Sequence, residues 1–386
     1  MIKKLTDSVT YIGCDDADLD LFESQFEVPN GMAYNSYLIT DEKVCILDTA
    51  DKRRADEWME NVKEALGDRK PDYLVISHME PDHTGSIKAI AEMFPDMKIV
   101  GNTKTFAFYD QFFSYDISDR KLVVNEGDKL DLGSRSLTFT MAPMVHWPEV
   151  MMSYLSGDKV FFSADAFGKF GTLDTDEDWA CEARRYYFNI VGKYGAQVQA
   201  VIKKIDALDI KMICPLHGPI LSDDLGYYID KYRVWSSFEP EDKGIFIAYA
   251  SIHGNTAAAA MQLKELLESK GAPKVSVADL SRDDIAEAVE DAFRYDRMVL
   301  ACSTYNMGMF TPMERFLNML KAKDYQKRTV GLMENGTWAP MSAKLMKAQL
   351  EGMKNIKVLG TVVSIKSSLK GETPDAMVKL ADELLQ

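Results

Sequence analysis

The 386-residue sequence lacks paired cysteines, because no C-x-x-C occurs and its five cysteines are scattered along the chain. This absence excludes a disulfide framework and a built-in iron–sulfur or rubredoxin-type module, which needs closely spaced cysteines. A G-x-G-x-x-G nicotinamide fingerprint is also missing. No apolar run reaches the length of a signal peptide or a membrane span. We therefore expect a cytoplasmic protein with no membrane partner.

Positive charge is scarce in the first part of the chain. Residues 243–386 hold 19 basic and 17 acidic side chains, which leaves 26 basic and 43 acidic side chains, a net charge of −17, in residues 1–242. Such an acidic region excludes nucleic acid and anionic membrane surfaces as its partners. The nearly neutral second part is better suited to receive an acidic redox protein.

The residues before about position 242 show short β-type runs separated by turns. Helical periodicity interrupts them over Asp51–Leu66, Gly85–Met93 and a long segment from Trp179 to Ala207. This mixture predicts two packed sheets with helices outside them. The most polar stretches follow apolar runs, so we expect their side chains to project from strand ends.

A polar, proline-containing segment, Glu239–Lys243, predicts a linker. After it, five apolar strands alternate with helices predicted over residues 257–269, 284–293 and 311–321 and from residues 343 and 375 onward. Strands that are apolar on both faces and alternate with helices indicate a doubly wound parallel sheet. We therefore predict an α/β protein with one domain at residues 1–242 and another at residues 243–386.

The densest group of potential metal ligands is the run HMEPDH from His78 to His83, which follows an apolar strand. Alternate residues of an extended segment point to the same side, so we expect His78, Glu80 and Asp82 to converge. His83 faces a neighbouring direction and is a candidate ligand for a second ion. Four potential ligands within six residues predict metal binding at this strand end.

Three further strand-end residues are candidates to complete two metal sites: His146, Asp165 and His217. Taken alone, each is more often a hydrogen-bonded structural residue than a ligand. The HMEPDH run raises the expectation for all three, because a dinuclear site needs more ligands than that run supplies.

Three strand-end loops in the second domain form a candidate flavin site. The first opens a helix and resembles the flavodoxin phosphate loop S/T-x-T-G-x-T, with His253 in place of the middle threonine. Backbone N–H groups and the helix dipole at such a helix start attract phosphate without a lysine. In a flavodoxin-like sheet the other two loops line the same crevice. The candidate residues are Ser251, His253, Gly254, Asn255, Thr256, Ser303, Thr304, Tyr305, Asn306, Gly308, Glu334, Asn335, Gly336, Thr337 and Trp338.

The seven candidate metal ligands resemble those of the metallo-β-lactamase-like superfamily and, within it, of the flavodiiron proteins (A-type flavoproteins). Hydrolases of that superfamily typically carry H-x-H-x-D-H and bind zinc, whereas Glu80 stands here at the second histidine position. A carboxylate in place of an imidazole favours iron or manganese over zinc. The resemblance implies one iron held by His78, Glu80 and His146, a second held by Asp82, His83 and His217, and Asp165 as the bridge between them.

The resemblance also implies a fold and a reaction. It implies a metallo-β-lactamase-like αββα sandwich followed by a flavodoxin-like domain that binds flavin mononucleotide (FMN). The reaction is then reduction of dioxygen to water or of nitric oxide to nitrous oxide, with electrons passed from a rubredoxin-like donor through FMN to two iron ions. The stretch from Arg184 to Tyr187 would place a tyrosine hydroxyl near the metals, although a structural role is an equal alternative.

Two other functions remain open from the sequence. One is a zinc hydrolase fused to a flavodoxin-like module, and the other is a non-catalytic redox carrier. The sequence does not choose between dioxygen and nitric oxide. Both predicted sites lie at strand ends and the predicted linker is short, so neither site can fold over the other within one chain. We therefore expect the head-to-tail homodimer that the resemblance implies, alone or as a dimer of dimers.

Overall fold

The computed structural model describes residues 1–370 and 373–386. They form two compact units, the first made of Met1–Tyr187 and Ala196–Arg233 and the second of Phe188–Gly195 and Val234–Gln386. Within the described residues, no helix is both long and apolar enough to cross a bilayer.

The first unit is built on two sheets. Its strands are β1 (Lys3–Lys4), β2 (Val9–Tyr11), β3 (Cys14–Asp16), β4 (Leu21–Phe22), β5 (Phe26–Glu27), β6 (Met32–Tyr34), β7 (Tyr37–Thr40), β8 (Val44–Leu47), β9 (Tyr73–Val75), β10 (Lys98–Gly101), β11 (Lys121–Val123), β12 (Lys129–Asp131), β13 (Ser136–Met141), β14 (Met151–Leu155), β15 (Val160–Phe162) and β16 (Met212–Cys214). One sheet has the order β1-β2-β7-β8-β9-β10-β11 and the other β12-β13-β14-β15-β16. Two small hairpin-like pairs, β3 with β6 and β4 with β5, lie outside these sheets.

The core of the first unit fills the space between its two sheets. Tyr37, Leu47 and Val75 of the first sheet belong to the same buried cluster as Phe139 and Phe162 of the second. Central strands such as β8, β13 and β15 point apolar side chains into this cluster, as expected for sheets packed face to face. The αββα sandwich expected from the sequence is confirmed. The helices up to residue 236 are α1 (Ala55–Leu66), α2 (Pro81–Thr84), α3 (Ile87–Met93), α4 (Thr103–Phe112), α5 (Trp179–Tyr186), α6 (Gly195–Ile205) and α7 (Leu225–Ser236).

The helix predictions for the first unit were incomplete. α4 and α7 were missed, although Asn102 and Thr105 form a reciprocal capping box at the start of α4 that is visible in the sequence. The single long helix predicted from Trp179 is wrong. A π-helical turn and a 3₁₀ turn separate α5 from α6, and Gly192 within them has a φ of +21°. Glycine in a helix interior weakens it, which accounts for the break.

The second unit is a parallel sheet with helices between its strands. Its strands are β17 (Asp242–Ala250), β18 (Val275–Asp279), β19 (Tyr295–Tyr305), β20 (Gly308–Met309), β21 (Thr329–Asn335) and β22 (Lys357–Ile365). The parallel order is β18-β17-β19-β21-β22, with β20 antiparallel to β19. The flavodoxin-like doubly wound sheet is therefore confirmed. The helices are α8 (Asn255–Ser269), α9 (Ile285–Arg294), α10 (Thr311–Ala322), α11 (Ser342–Leu350) and α12 (Thr373–Leu384).

The segment predicted as a linker is bound to the second unit. The Glu241 backbone N–H donates to the Arg294 carbonyl at 2.9 Å, and Asp242 already begins β17. The buried Arg328 guanidinium donates to the Phe238 carbonyl at 2.7 Å. These contacts fix the chain before β17, so the segment is ordered on the sheet rather than a free connection.

Candidate functional site

The seven candidate metal ligands are carried to one place by strand ends. His78 and Glu80 follow β9, and Asp82 and His83 lie on the short helix α2. His146, Asp165 and His217 follow β13, β15 and β16 respectively. Those three strands run in the same direction in one sheet, so their carboxyl ends meet at one edge. The topology therefore assembles residues that are up to 139 positions apart in the sequence.

Four of these residues form the first group: His78, Glu80, His146 and Asp165. The Glu80 Oε2 atom lies 3.1 Å from His78 Nε2 and 3.0 Å from His146 Nε2. Asp165 Oδ2 lies 3.0 Å from His146 Nε2. One ligand atom from each residue falls within 4.8 Å of the others, which is the spacing that a single bound ion requires.

The second group consists of Asp82, His83 and His217. Asp82 Oδ2 lies 3.4 Å from His83 Nε2 and 3.3 Å from His217 Nε2. Asp165 joins this group to the first, because its Oδ1 atom is 3.2 Å from His83 Nε2 while its Oδ2 atom faces His146. A carboxylate with one oxygen turned to each group is placed to bridge two ions.

The grouping corrects the expectation that His78, Glu80 and Asp82 converge. Asp82 lies with His83 instead. Pro81 begins α2, and the residue before it, Glu80, has an extended backbone with φ −61° and ψ 142°. The alternation rule holds only for extended chain, so it applies to His78 and Glu80 and fails where the helical turn starts.

Hydrogen bonds behind the cluster fix which imidazole nitrogen faces inward. His78 Nδ1–H donates to Glu149 Oε1 at 2.7 Å, and His217 Nδ1–H donates to the Ala33 carbonyl at 2.8 Å. A neutral imidazole that donates from Nδ1 presents a lone pair at Nε2. The His78 and His146 Nε2 atoms face each other at 3.3 Å. Such converging lone pairs and carboxylates repel one another unless cations lie between them.

The unsatisfied polar atoms fit two resident metal ions. Among the described residues, none forms a hydrogen bond with either carboxylate oxygen of Asp82 or Asp165, or with His83 Nε2 or His217 Nε2, and all six atoms are buried. Unpaired buried polar atoms are rare in folded proteins because each costs free energy. Their position in one cluster of carboxylates and imidazoles matches the donor set of a dinuclear site.

The electrostatics of the cluster also fit bound metal ions. Burial alone would raise the pKa of Asp165, but the neighbouring His78, His146 and His83 imidazoles hold that pKa well below its usual range. Burial alone would lower the pKa of His146, but the Asp165 and Glu80 carboxylates raise it to about 9. The carboxylates therefore stay ionised and the imidazoles attract protons where no cation is bound. Metal binding would displace those protons.

Aromatic side chains enclose the second group. The Tyr186 and Phe22 rings lie 5.7 and 5.4 Å from the His217 ring. The Tyr186 side chain is fully buried and its hydroxyl has no partner among the described residues. Burial, followed by the charges of Asp165 and Glu80, raises the pKa of Tyr186 well above its usual value. Of the two tyrosines considered from the sequence, Tyr186 is thus within electrostatic reach of the cluster, while the Tyr187 ring packs against Tyr232 at 5.1 Å.

Sequence reasoning missed two buried carboxylates behind the cluster. Glu149 accepts hydrogen bonds from the His78 ring and from the Met79 backbone N–H. Asp48 accepts from the Ser77 backbone N–H at 2.7 Å, and burial raises the pKa of Asp48 to about 6. Glu149 lies three residues after His146, and Asp48 follows β8 directly. An acidic residue close to a candidate ligand, or directly after a strand, was the sequence feature that could have identified both carboxylates.

A second site is a cavity of about 500 Å³ at the carboxyl ends of the parallel strands in the second unit. Its volume is in the range of cavities that hold a cofactor. Loops after β17, β19, β21 and β22 form its wall. The predicted residues that line it are Ser251, His253, Asn255, Thr256, Ser303, Thr304, Tyr305, Asn306, Asn335, Gly336, Thr337 and Trp338.

Three predicted residues do not line this cavity. Gly254 has a φ of +86° and shapes the turn into α8, and Gly308 belongs to the short pairing of β20 with β19. The Glu334 carboxylate points into the fold, where it accepts hydrogen bonds from the Ala343 N–H and the Ser364 hydroxyl. The loop after β22 was missed. Ser367 in this loop lines the cavity, and its position just after the last predicted strand could have identified it.

The first loop of the cavity fits a phosphate group. α8 begins after Gly254, its N-cap, and within the part of the chain that the structure describes no side chain caps the N–H groups of its first turn. The Thr256 hydroxyl, 2.8 Å from the Ser303 hydroxyl, is buried beneath the loop. Uncapped N–H groups at a helix start bind anions. The aromatic rings of Tyr305 and Trp338 at the mouth are 48% and 86% exposed, as expected for rings that would cover a planar ligand.

Two family models match separate parts of the chain. Residues 32–218 match the family model described as ODP family beta lactamase, and residues 247–380 match the flavodoxin model. The anaerobic nitric oxide reductase flavorubredoxin of Aliivibrio fischeri is 30% identical over 86% of this chain and 69% of its own length. A putative diflavin flavoprotein of Nostoc is also 30% identical over 86% of the chain, which spans 58% of that longer protein.

A solved structure resembles the whole chain. The rubredoxin oxygen:oxidoreductase of the anaerobe Desulfovibrio gigas has a TM-score of 0.92 and 26% sequence identity, with 100% of this chain and 98% of that chain covered. The likeness covers the sheets that carry the metal-ligand cluster as well as those that carry the cavity. From these matches and the two domains that they share, the chain belongs to the flavodiiron proteins, the A-type flavoproteins whose cofactors are FMN and a pair of iron ions.

Proposed function

We propose that this chain reduces dioxygen to water, nitric oxide to nitrous oxide, or both, as an FMN- and diiron-dependent oxidoreductase. The observation that carries the proposal is the position of Asp165, which turns one carboxylate oxygen to each of the two ligand groups. The relative in Aliivibrio fischeri is named for nitric oxide and the structure from Desulfovibrio gigas for oxygen, which is why both gases are included.

The side chains of this chain have separate parts in the proposed activity. His78, Glu80 and His146 would hold one iron and Asp82, His83 and His217 the other, with Asp165 between them. Bound iron supplies Lewis-acid and one-electron redox chemistry at such a site.

Residues around the ligands would position them and the substrate. Glu149 holds the His78 ring in the tautomer that presents Nε2. The free Tyr186 hydroxyl is suited to donate a hydrogen bond to a small molecule at the metals. Phe22 and Phe170, which pack at 5.8 Å beside it, keep bulk water away.

The direct test is gas consumption by the purified holoprotein with one reduced rubredoxin as donor. Dioxygen and nitric oxide are supplied in turn, and steady-state turnover is measured for each. Consumption of either gas supports the proposal, and the ratio of the two rates identifies the preferred substrate. Absence of both activities from protein that contains FMN and iron would reject it.

Metal analysis separates the proposal from a zinc hydrolase with the same fold. Protein produced in medium with iron and without added zinc should contain iron at the seven-ligand site. Glu80 in place of a histidine supports that preference, because a carboxylate is a harder ligand than an imidazole. Zinc as the bound metal, with hydrolysis of an ester or amide, would support the hydrolase instead.

We further propose a cytoplasmic head-to-tail homodimer that receives electrons from a rubredoxin-like protein. Its test is a mixed dimer of two inactive variants. One subunit carries Asp165→Ala and lacks metal, and the other carries Ser251→Ala with Thr256→Ala and lacks flavin. If each flavin serves the partner's metals, donor-driven gas consumption returns in the mixed dimer. An inactive mixed dimer with the correct cofactor content would contradict that arrangement.

A further inference from the structure

The flavin cavity is poor in charged side chains. Its wall is formed by serine, threonine, asparagine, glycine and apolar or aromatic side chains, and among the described residues it includes no aspartate, glutamate, lysine or arginine. Among the described lining residues, His253 is the one whose side chain can carry a positive charge. Any ionic attraction for the phosphate of FMN from this wall must therefore come from His253.

His253 lies in the part of the cavity that fits phosphate. It occupies the middle position of the Ser251–Thr256 loop, directly before Gly254. The Gly254 N–H donates to the Ser251 hydroxyl at 3.1 Å, which turns the chain into the start of α8. The His253 side chain is exposed in this loop and lines the same cavity as Ser251, Asn255 and Thr256.

The charged groups of the neighbouring elements stand apart from the cavity wall. Asp279 ends β18, which pairs with β17 on one side of the loop, and Arg282 and Asp283 follow that strand. The Asp283 carboxylate accepts a hydrogen bond from the Asp279 backbone N–H at 2.7 Å. On the other side, the buried Glu334 is occupied by Ala343 and Ser364. None of these groups lines the cavity.

We propose that protonated His253 binds the FMN phosphate, so that flavin is retained more weakly as pH rises above neutrality. The direction of this pH dependence follows from the linkage between proton binding and flavin binding. A bound phosphate favours the charged ring, so flavin binding takes up a proton and weakens as protons become scarce. A phosphate monoester keeps two negative charges above about pH 6, so the phosphate continues to attract a cationic side chain over the pH range of the test.

The test measures FMN release from the holoprotein. Diluted holoprotein is equilibrated from about pH 6.5 to about pH 8.5, and free FMN is quantified by its fluorescence. For the wild-type chain we expect the dissociation constant to increase about three- to tenfold over this range, as one partly exposed charged contact is lost. The exposed position of His253 allows substitution without disturbing the core.

Two variants separate the effect of the His253 charge from that of its hydrogen bonds. His253→Gln keeps a hydrogen-bonding side chain that cannot be protonated, and we expect flavin retention as weak as that of the wild type at high pH and independent of pH. His253→Lys carries a charge throughout, and we expect tight retention without the pH slope. A wild-type pH slope that persists in His253→Gln would overturn the proposal.

The inference rests on the proposed flavin cavity, and Thr256→Val distinguishes the two failures. If FMN binds in this cavity but His253 is not its partner, Thr256→Val weakens retention while His253→Gln behaves like the wild type. If FMN binds elsewhere, neither Thr256→Val nor the His253 variants change its retention at any pH. Either result rejects the role of His253, and the second also rejects the cavity.

Discussion

The metal-ligand cluster and the flavin cavity, one in each unit, use opposite physical means to hold a cofactor. The cluster places seven ionisable side chains in a buried space, and six of them are less than 10% exposed. The flavin cavity has no lysine, arginine, aspartate or glutamate in its described wall, and it is bordered by exposed rings such as Trp338. One site depends on a few strong charges, whereas the other sums many weak neutral contacts.

This difference predicts how each site should respond to substitution. In a low-dielectric cluster, removal of one charged ligand leaves its partners uncompensated, which is far more costly than the loss of a single hydrogen bond. In the cavity, backbone N–H groups persist when a side chain is changed, so each substitution removes only part of the affinity. A single substitution in the cluster should therefore abolish metal binding, whereas a single substitution in the cavity should only weaken FMN binding.

The largest effect is expected for Asp165→Ala. Asp165 is fully buried and lies within 3.6 Å of three cluster imidazoles, those of His78, His83 and His146. Its loss should reduce bound iron from two ions per chain to nearly none while FMN is retained, as measured by metal analysis and flavin absorbance. Asp56→Ala, at an exposed position of α1, is the control and should keep both cofactors. Joint loss of iron and flavin in Asp165→Ala would show that the sites are not independent.

Glu80→His should change the metal rather than empty the site. The new imidazole restores the ligand pattern of the zinc hydrolases, and imidazole suits zinc better than a carboxylate does. Protein produced with equal iron and zinc should contain mainly zinc and lose gas reduction. Glu80→Asp keeps the carboxylate and serves as the control. Full iron content and turnover in Glu80→His would mean that Glu80 does not select the metal.

Thr256→Val should have a moderate effect on the cavity. The substitution keeps the shape of a buried side chain but removes the hydroxyl that lies 2.8 Å from the Ser303 hydroxyl. We expect the FMN dissociation constant to rise about tenfold, the value of one hydrogen bond to a charged group. Iron content should not change. Ser269→Ala at the far end of α8 is the control, and an effect of equal size there would point to helix stability instead.

Trp338→Ala should have the smallest effect. The ring is 86% exposed, so its removal costs the fold little, and stacking on a flavin is worth only about 0.5–1.5 kcal/mol. We expect FMN to be held about threefold more weakly, and the fluorescence of bound flavin to increase because an adjacent indole is gone. Phe112→Ala, at another exposed aromatic ring in the first unit, should leave both readouts unchanged. Unchanged flavin fluorescence in Trp338→Ala would place this ring away from the flavin.

The two sites also differ in how far the sequence predicts them. All seven candidate metal-ligand residues could be named from the sequence, because the chain has only five histidines and two of them lie with two acids in the run HMEPDH. Their grouping depends on the turn at Pro81. The buried Glu149 was missed because its position beside His78 is set by tertiary packing, not by local pattern. Common neutral residues line the cavity, which explains why Ser367 was missed and Glu334 was misplaced.

The parallel sheet of the second unit was easier to predict than the first unit. Its central strands β17, β19 and β21 contain continuous apolar runs, and helices such as α10 begin at the predicted residue, Thr311. The first unit contains strands of two or three residues, including β1 and β4, which are too short to show a period. The break between α5 and α6 depends on backbone geometry at Gly192 that periodicity does not reveal.

The most direct test of the account follows flavin reoxidation by nitric oxide in the absence of oxygen. The wild-type holoprotein and Asp165→Ala are reduced to the same extent and mixed with nitric oxide, and flavin absorbance is followed over time. If the seven-ligand cluster is where the gas is reduced, the wild-type flavin is reoxidised with formation of nitrous oxide, and the flavin of Asp165→Ala remains reduced. Reoxidation of the Asp165→Ala flavin as fast as that of the wild-type flavin would contradict the account.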